Sequence, residues 1–271
     1  MNNALTDFSL HYKGFDNTQL LWLNSPLQDL NQCHLPKRKP NDFSEIPVKK
    51  YRLGHLVEQF VFHDLKQSDA ITVLATNCQI KLNKRTIGEL DCIILKDNSP
   101  IHLEIIYKFY LYDPTIENTE LDHWIGPNRA DSLIEKITKL KNKQLPLLFR
   151  SETQPLLNSL NLNVNDIQQQ VLFKAQLFVP LGLYGKSFPV INNACIIGYY
   201  INYKQLNSLS SCQFYIPQKL DWLIDPHLHV EWLNYDVAKS HIMELIDRDK
   251  SPLCWVKSPN NNLQKVFITW W

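Results

Sequence analysis

The sequence predicts an α/β or α+β fold, and three observations carry that expectation. Between Lys50 and Lys66 apolar residues recur at three- and four-residue spacing, the pattern of a half-buried helix. Between Gly88 and Tyr112 two strand-like runs flank strong turn chemistry, the pattern of a β-hairpin. Further helix-like and strand-like runs follow to the end of the chain, so the two kinds of element are mixed along it. Its 271 residues suffice for a sizeable core, in one large domain or two modest ones.

Taken in order, residues 1–48 alternate short apolar clusters with turn residues, and short helices are expected at Leu20 to Leu23 and Leu27 to Leu30. The segment ends in LPKRKPNDFSEIP, whose Lys37, Arg38 and Lys39 read as an exposed linker rather than a binding site. The helix that follows gathers Leu53, Leu56, Val57, Phe60 and Val61 on one face. At about 100° per residue, Glu58 falls roughly 60° beyond Val61, on the border of that face, where it can point towards a neighbouring strand.

Ile71 to Ile80 is rich in β-branched residues and predicts a strand. Gly88 to Lys96 and Ile101 to Tyr112 predict the two arms of the hairpin, joined by Asp97-Asn98-Ser99-Pro100. Strand alternation puts His102, Glu104, Ile106, Lys108 and Tyr110 on one face of the second arm. The opposite face, Leu103, Ile105, Tyr107, Phe109 and Leu111, is apolar or aromatic throughout and is expected to be core.

Gly126-Pro127-Asn128 is expected to open a helix reaching about Lys143, with Leu133, Ile134, Ile137 and Leu140 as its apolar stripe. Arg129, Lys136, Lys139 and Lys143 make the rest of it basic, which suits a solvated face or the steering of a phosphate backbone. A second helix is expected from Asn165 to Phe178, capped by Asn163 or Asn165 and ended by Pro180 and Gly182. Beyond it, Ala194 to Ile201, Cys212 to Ile216, Leu253 to Lys257 and Lys265 to Trp270 predict strands, and Tyr235 to Ile246 an amphipathic helix. His227 and His229 read as strand histidines with a structural role, because no cysteine or carboxylate cluster of zinc spacing lies beside them. The tryptophans concentrated in this half suit core packing or a protein interface.

Composition excludes more than it selects. A net charge of +1 gives no global attraction to nucleic acid or membrane, so a nucleic-acid partner needs a local patch. The six cysteines are scattered without a CxxC pair, as buried reduced thiols are. The opening MNNALTDF has neither the basic nor the apolar region of a signal peptide, and no run approaches the ~20 apolar residues of a membrane helix. A cytoplasmic protein is expected. With only seven glycines there is no Gly-rich phosphate loop, and no GxSxG elbow or protein-kinase pattern occurs.

The chemistry concentrates in the hairpin. Asp91, in Gly-Glu-Leu-Asp, and Glu104 stand in otherwise apolar strands, where unpaired charge is costly. A tight turn between them lets neighbouring strands set the two carboxylates side by side. Adjacent carboxylates repel unless a cation lies between them, and a hard divalent ion, Mg²⁺ above all or Mn²⁺, suits such oxygen ligands. The Ile105 carbonyl adds a further oxygen. Lys108 would then orient a water or neutralise charge on a phosphate. The bland alternative is a structural ion pair between Glu104 and Lys108. His102, on the same face, reads as a local hydrogen-bonding residue rather than a ligand.

Glu58 on a first helix, Asp91 in Gly-Glu-Leu-Asp, and Glu104 followed by Lys108 resemble the PD-(D/E)XK nucleases, over roughly residues 50–145. The wider layout, with Trp124-Ile125-Gly126-Pro127-Asn128 and Phe178-Val179-Pro180-Leu181-Gly182, resembles an uncharacterised bacterial family within that superfamily. The resemblance implies a restriction-endonuclease-like core, a central mixed sheet flanked by helices, over residues 49–190. Residues 1–48 precede it, and an α+β extension over residues 191–271 packs on it. It also implies metal-dependent phosphodiester hydrolysis of DNA or RNA, with Asp91 and Glu104 as metal ligands, Lys108 assisting the water and Glu58 as an accessory carboxylate. One departure stands out: the superfamily places its lysine two residues after the glutamate, where this chain has Ile106. Lys108 keeps the face but lies about 6.6–7 Å further along the strand. That departure supports an alternative expectation, a catalytically inactive nuclease fold that binds nucleic acid or a protein partner.

Overall fold

A computed structural model describes residues 8–23, 25, 27–35 and 52–271; the linker expected at Lys37 to Lys39 lies outside the described residues. In chain order the elements are α1 (Ser9–Asn17), α2 (Leu53–Lys66), β1 (Ile71–Leu82), β2 (Arg85–Lys96), β3 (Ser99–Tyr112) and β4 (Trp124–Ile125). There follow α3 (Leu133–Lys139), α4 (Gln154–Ser159), β5 (Gln168–Pro180), β6 (Ile196–Asn202), β7 (Gln213–Tyr215), α5 (Tyr235–Ile246), β8 (Leu253–Lys257) and β9 (Leu263–Thr269). The fold is mixed α/β. It divides into two compact units built from interleaved segments. Of the described residues, the first takes those within Leu20–Tyr107 and Glu135–Lys174 with Phe8 and Ser9, and the second takes Leu10–Gln19, Lys108–Ile134 and Ala175–Trp271. Among the described residues no helix is long and apolar enough to cross a membrane.

In the first unit the apolar face of α2 (Leu56, Val57, Phe60, Val61 and Leu65) is buried, and the helix packs on β1. β1 and β2 pair antiparallel along nearly their whole length, with two register irregularities. β2 and β3 form the expected hairpin through a tighter turn than the sequence suggests. Only Asp97 and Asn98 make the turn, at φ 49° and 62°, and Ser99 and Pro100 already belong to β3. Two successive left-handed residues give the twist that a two-residue hairpin loop needs, and Asp and Asn tolerate that conformation. Ile80, Leu90, Ile93, Leu147, Leu148, Leu157 and Ile167 form this unit's core beneath the strands.

Three expectations are corrected. Leu20 and Leu27 make isolated bridges, to Lys174 and to Leu30, in place of short helices. The helix expected from Gly126 begins only at Leu133, because Gly126 to Asp131 close a turn with Arg129 at φ 56°. It then widens into a π-helical turn over Leu140–Gln144 and tightens into a 3₁₀ turn over Leu145–Phe149. The helix expected from Asn165 is the strand β5. Val171, Leu172, Phe173, Ala175, Leu177, Phe178 and Val179 are all buried, and a near-continuous apolar run fits both a helix face and a buried strand. Asn163 does cap, but only the 3₁₀ turn Val164–Asp166.

The second unit pairs strands both ways. β5 to β6 and β6 to β9 are parallel, while β8 to β9 and β7 to β8 are antiparallel. α5, capped by the Asn234 side chain on Val237 N–H, buries Ala238, Ile242 and Ile246 against Phe214, Cys254, Val256, Val266 and Ile268. Trp255 and Trp124 are enclosed, so these two tryptophans serve packing. His227 and His229 lie in a stretch without strand structure, their rings 6.2 Å apart. Arg129 pairs with Asp113 at 2.8 Å and lies over Trp271, at 4.6 Å from the ring centre to its guanidinium carbon, rather than contributing to a basic helix face.

Candidate functional site

β2 and β3 stay in register from Lys96 and Ser99 down to Cys92 and Leu103, where the pairing ends although both strands continue. One step further the same register would put Asp91 opposite Glu104. Instead of continuing the ladder, the Ile105 N–H donates to Asp91 Oδ2 at 2.8 Å. The carboxylate thus takes the backbone donor that the parting strands release. Both carboxylates therefore sit where the two strands separate.

Glu104 is wholly buried and accepts two hydrogen bonds: Gln144 Nε2 donates to Oε2 at 2.5 Å, and His102 Nε2 lies 3.0 Å from Oε1. The surrounding partners settle the proton on His102. Gln169 Nε2 donates to the Leu145 carbonyl at 2.7 Å, which fixes the orientation of that amide, and the same nitrogen lies 3.0 Å from His102 Nδ1. Nδ1 must therefore accept, and Nε2 carries the hydrogen that goes to Glu104. At the other end Lys136 Nζ donates to Gln144 Oε1 at 2.8 Å, which turns the amide nitrogen of Gln144 towards the carboxylate. Every link from Leu145 through Gln169, His102, Glu104 and Gln144 to Lys136 pairs a donor with an acceptor. The π-helical turn supplies Gln144 and is followed at once by Leu145; such turns often mark functional positions.

The charge around this point is mostly negative. Asp91 is pushed up to about 7, first by burial, then by the charge of Glu104 and, more weakly, of Glu58, against the Ile105 hydrogen bond and Lys136. Glu58 is also pushed up by burial and by Glu89 and Glu104, with His55 opposing from 3.4 Å. The structure thus brings Glu58, Asp91 and Glu104 within electrostatic range of one another inside the first unit. Lys108 belongs to the second unit, where its ammonium pairs with Asp131 at 2.5 Å. Among the described residues no group of three or more His, Cys, Asp or Glu side chains is arranged to hold a metal ion.

Sequence reasoning missed Gln144, Gln169 and the position of Lys136. Gln144 and Lys136 carry no signal of their own on a helix surface. The run Gln168-Gln169-Gln170 at the mouth of an apolar strand is a signal, since amides entering a core need partners.

A family described as "Domain of unknown function (DUF1853)" matches residues 17–267, nearly the whole chain. No curated protein and no solved structure matches. The chain belongs to that family.

Proposed function

We propose that this member of the DUF1853 family is a divalent-cation-dependent phosphodiester hydrolase acting on nucleic acid, built on the PD-(D/E)XK plan. The observation that carries the reading is the separation of β2 and β3 at Asp91 and Glu104, which sets a half-buried and a wholly buried carboxylate near one another. The raised Asp91 supports it, because clustered buried carboxylates lack the positive charge that a cation brings. Mg²⁺ commonly uses one or two carboxylates and completes its shell with waters and substrate phosphate oxygens. The residues present suit that arrangement. Asp91 keeps Oδ1 without a donor among the described residues, and each Glu104 oxygen retains a second lone pair. Bound there, Mg²⁺ or Mn²⁺ would supply Lewis acidity and a more acidic water.

The chain's own residues do the positioning. Gln144 and His102 hold Glu104 in one orientation, and the Ile105 N–H holds Asp91. Glu58 is the accessory carboxylate. The resemblance assigns the amine to Lys108, while Lys136 is the ammonium that acts on Asp91 and steadies Gln144. A second reading, an inactive nuclease fold that binds nucleic acid or protein, is favoured by both Glu104 oxygens already accepting hydrogen bonds.

The test is cleavage of single- and double-stranded DNA and RNA with Mg²⁺ or Mn²⁺. Asp91→Asn and Glu104→Gln should each lower cleavage about a hundredfold or more, and the weaker of Lys108→Ala and Lys136→Ala identifies the amine. No cleavage, together with no metal-dependent change in Tm, removes the hydrolase reading. Binding of nucleic acid without cleavage supports the second one.

A further inference from the structure

We propose that a cavity beside the start of β5, within the first unit, binds a nucleobase, adenine in preference to the others. The cavity measures about 520 Å³, in the range of small-molecule pockets and large enough for a nucleoside. Trp22, Gln32, His34, Gln168, Gln169 and Gln170 are among its walls, and among the described residues none of the walls carries a carboxylate, ammonium or guanidinium. An uncharged lining selects a neutral occupant, since a charged group brought there would lose hydration without a partner.

The lining is rich in side-chain amides, each offering a donor and an acceptor a fixed distance apart. Adenine presents the matching pair, its N6 amino group beside N7, which a Gln or Asn amide meets with two hydrogen bonds. The paired contact falls to the amides of Gln168 and Gln170, whose side chains make no hydrogen bond among the described residues, and two further oxygens can accept an amino hydrogen. Gln169 spends its amide nitrogen on His102 and Leu145, which leaves Oε1 without a donor among the described residues. Gln32 Oε1 is buried with no partner among the described residues, while its nitrogen lies 3.4 Å from the Phe173 carbonyl. His34 is exposed and its ring is held through Nε2 on the Leu23 carbonyl at 3.0 Å, which fixes a planar surface for a base to stack on. Gln169 also places the occupant one residue from His102 and, through it, from Glu104.

The choice of a nucleobase over other neutral heterocycles rests on the nucleic-acid reading of Asp91 and Glu104. Adenosine, guanosine, cytidine and uridine are titrated calorimetrically into the full chain without divalent metal, with glucose as a neutral control. Adenosine should bind at least about fivefold tighter than the other three. Gln168→Ala and Gln170→Ala, at exposed and half-buried positions, should each weaken it about tenfold with Tm unchanged, and Asp91→Asn should leave it as it is. No adenosine binding, equal binding of glucose, or binding indifferent to both glutamine variants overturns the proposal. Adenosine binding in a chain that shows neither cleavage nor a metal-dependent change in Tm keeps the pocket and removes the hydrolase. Cleavage without adenosine binding does the reverse.

Discussion

A fully enclosed carboxylate is tolerated only when donors cover its oxygens, and Glu104 draws its two from different elements, His102 on its own strand and Gln144 on the helix turn. Gln144→Ala should therefore destabilise the fold by about 1–3 kcal/mol in urea unfolding, the usual cost of a buried acceptor left bare. Gln144→Glu should cost more, because it sets a second negative charge against the first. Asp91 makes a different prediction, through pH. Its folded pKa, raised to about 7 from an ordinary 3.8, means that the native state keeps a proton the unfolded chain has already lost. The native state binds more protons between those values, so stability falls as pH rises from about 4 to about 7 and then levels. Asp91→Asn cannot ionise and should gain on the parent by about 1–3 kcal/mol between pH 4 and pH 8. Unfolding curves for both at the two pH values check this, and a difference independent of pH would refute it.

At the scale of elements, legibility followed how much each piece depends on its own sequence. The hairpin was readable because Asp97 and Asn98 can enter the left-handed region and β-branched runs flank them. Asp97→Val, which places a β-branched side chain at φ 49°, should cost about 1–2 kcal/mol by the same logic. α2 and α5 were readable because apolar residues recur at helical spacing in each, although the last turns of α2 are buried all round. β5 was not. Both its faces are buried, so no periodicity distinguishes strand from helix, and the decision belongs to neighbours that sequence spacing does not reveal. α1 went unseen for a related reason, since SLHYKGFDN buries His11, Tyr12, Gly14 and Phe15 on a face that its polar residues interrupt. Of the candidate site, Asp91 and Glu104 were legible as charges inside strands. The amides and Lys136 that organise them arrive through a π-helical turn, a local widening that no spacing rule anticipates. 

At the scale of the whole molecule, the chain enters and leaves each unit more than once, and both unit boundaries within β3 and β5 fall inside a continuous strand. The second unit depends on residues far apart in sequence. Tyr200 donates to the Tyr112 carbonyl at 2.8 Å, Trp271 Nε1 donates to the Pro127 carbonyl at 3.0 Å, and His11 lies 2.8 Å from Asp221. β6 is pressed closely enough that a Cβ on Gly198 would stand 2.2 Å from the Lys265 backbone carbonyl. Gly198→Ala should thus cost about 2–3 kcal/mol, since backbone rather than a flexible side-chain end would have to move. A chain cut after residue 190 tests the interdependence directly. It keeps β5 but removes the parallel partner of Leu177 to Pro180, along with the buried Phe214, Ile242, Val256, Val266 and Ile268. The remaining pieces, residues 10–19, 108–134 and 175–190, would leave Phe178 without the Phe267 ring 4.7 Å away and Val179 without its neighbour Tyr199. Limited proteolysis should cut this fragment within 108–134 and 175–190 at protease levels that leave the full chain intact. Equal resistance of both would mean that these segments hold their structure without β6 to β9.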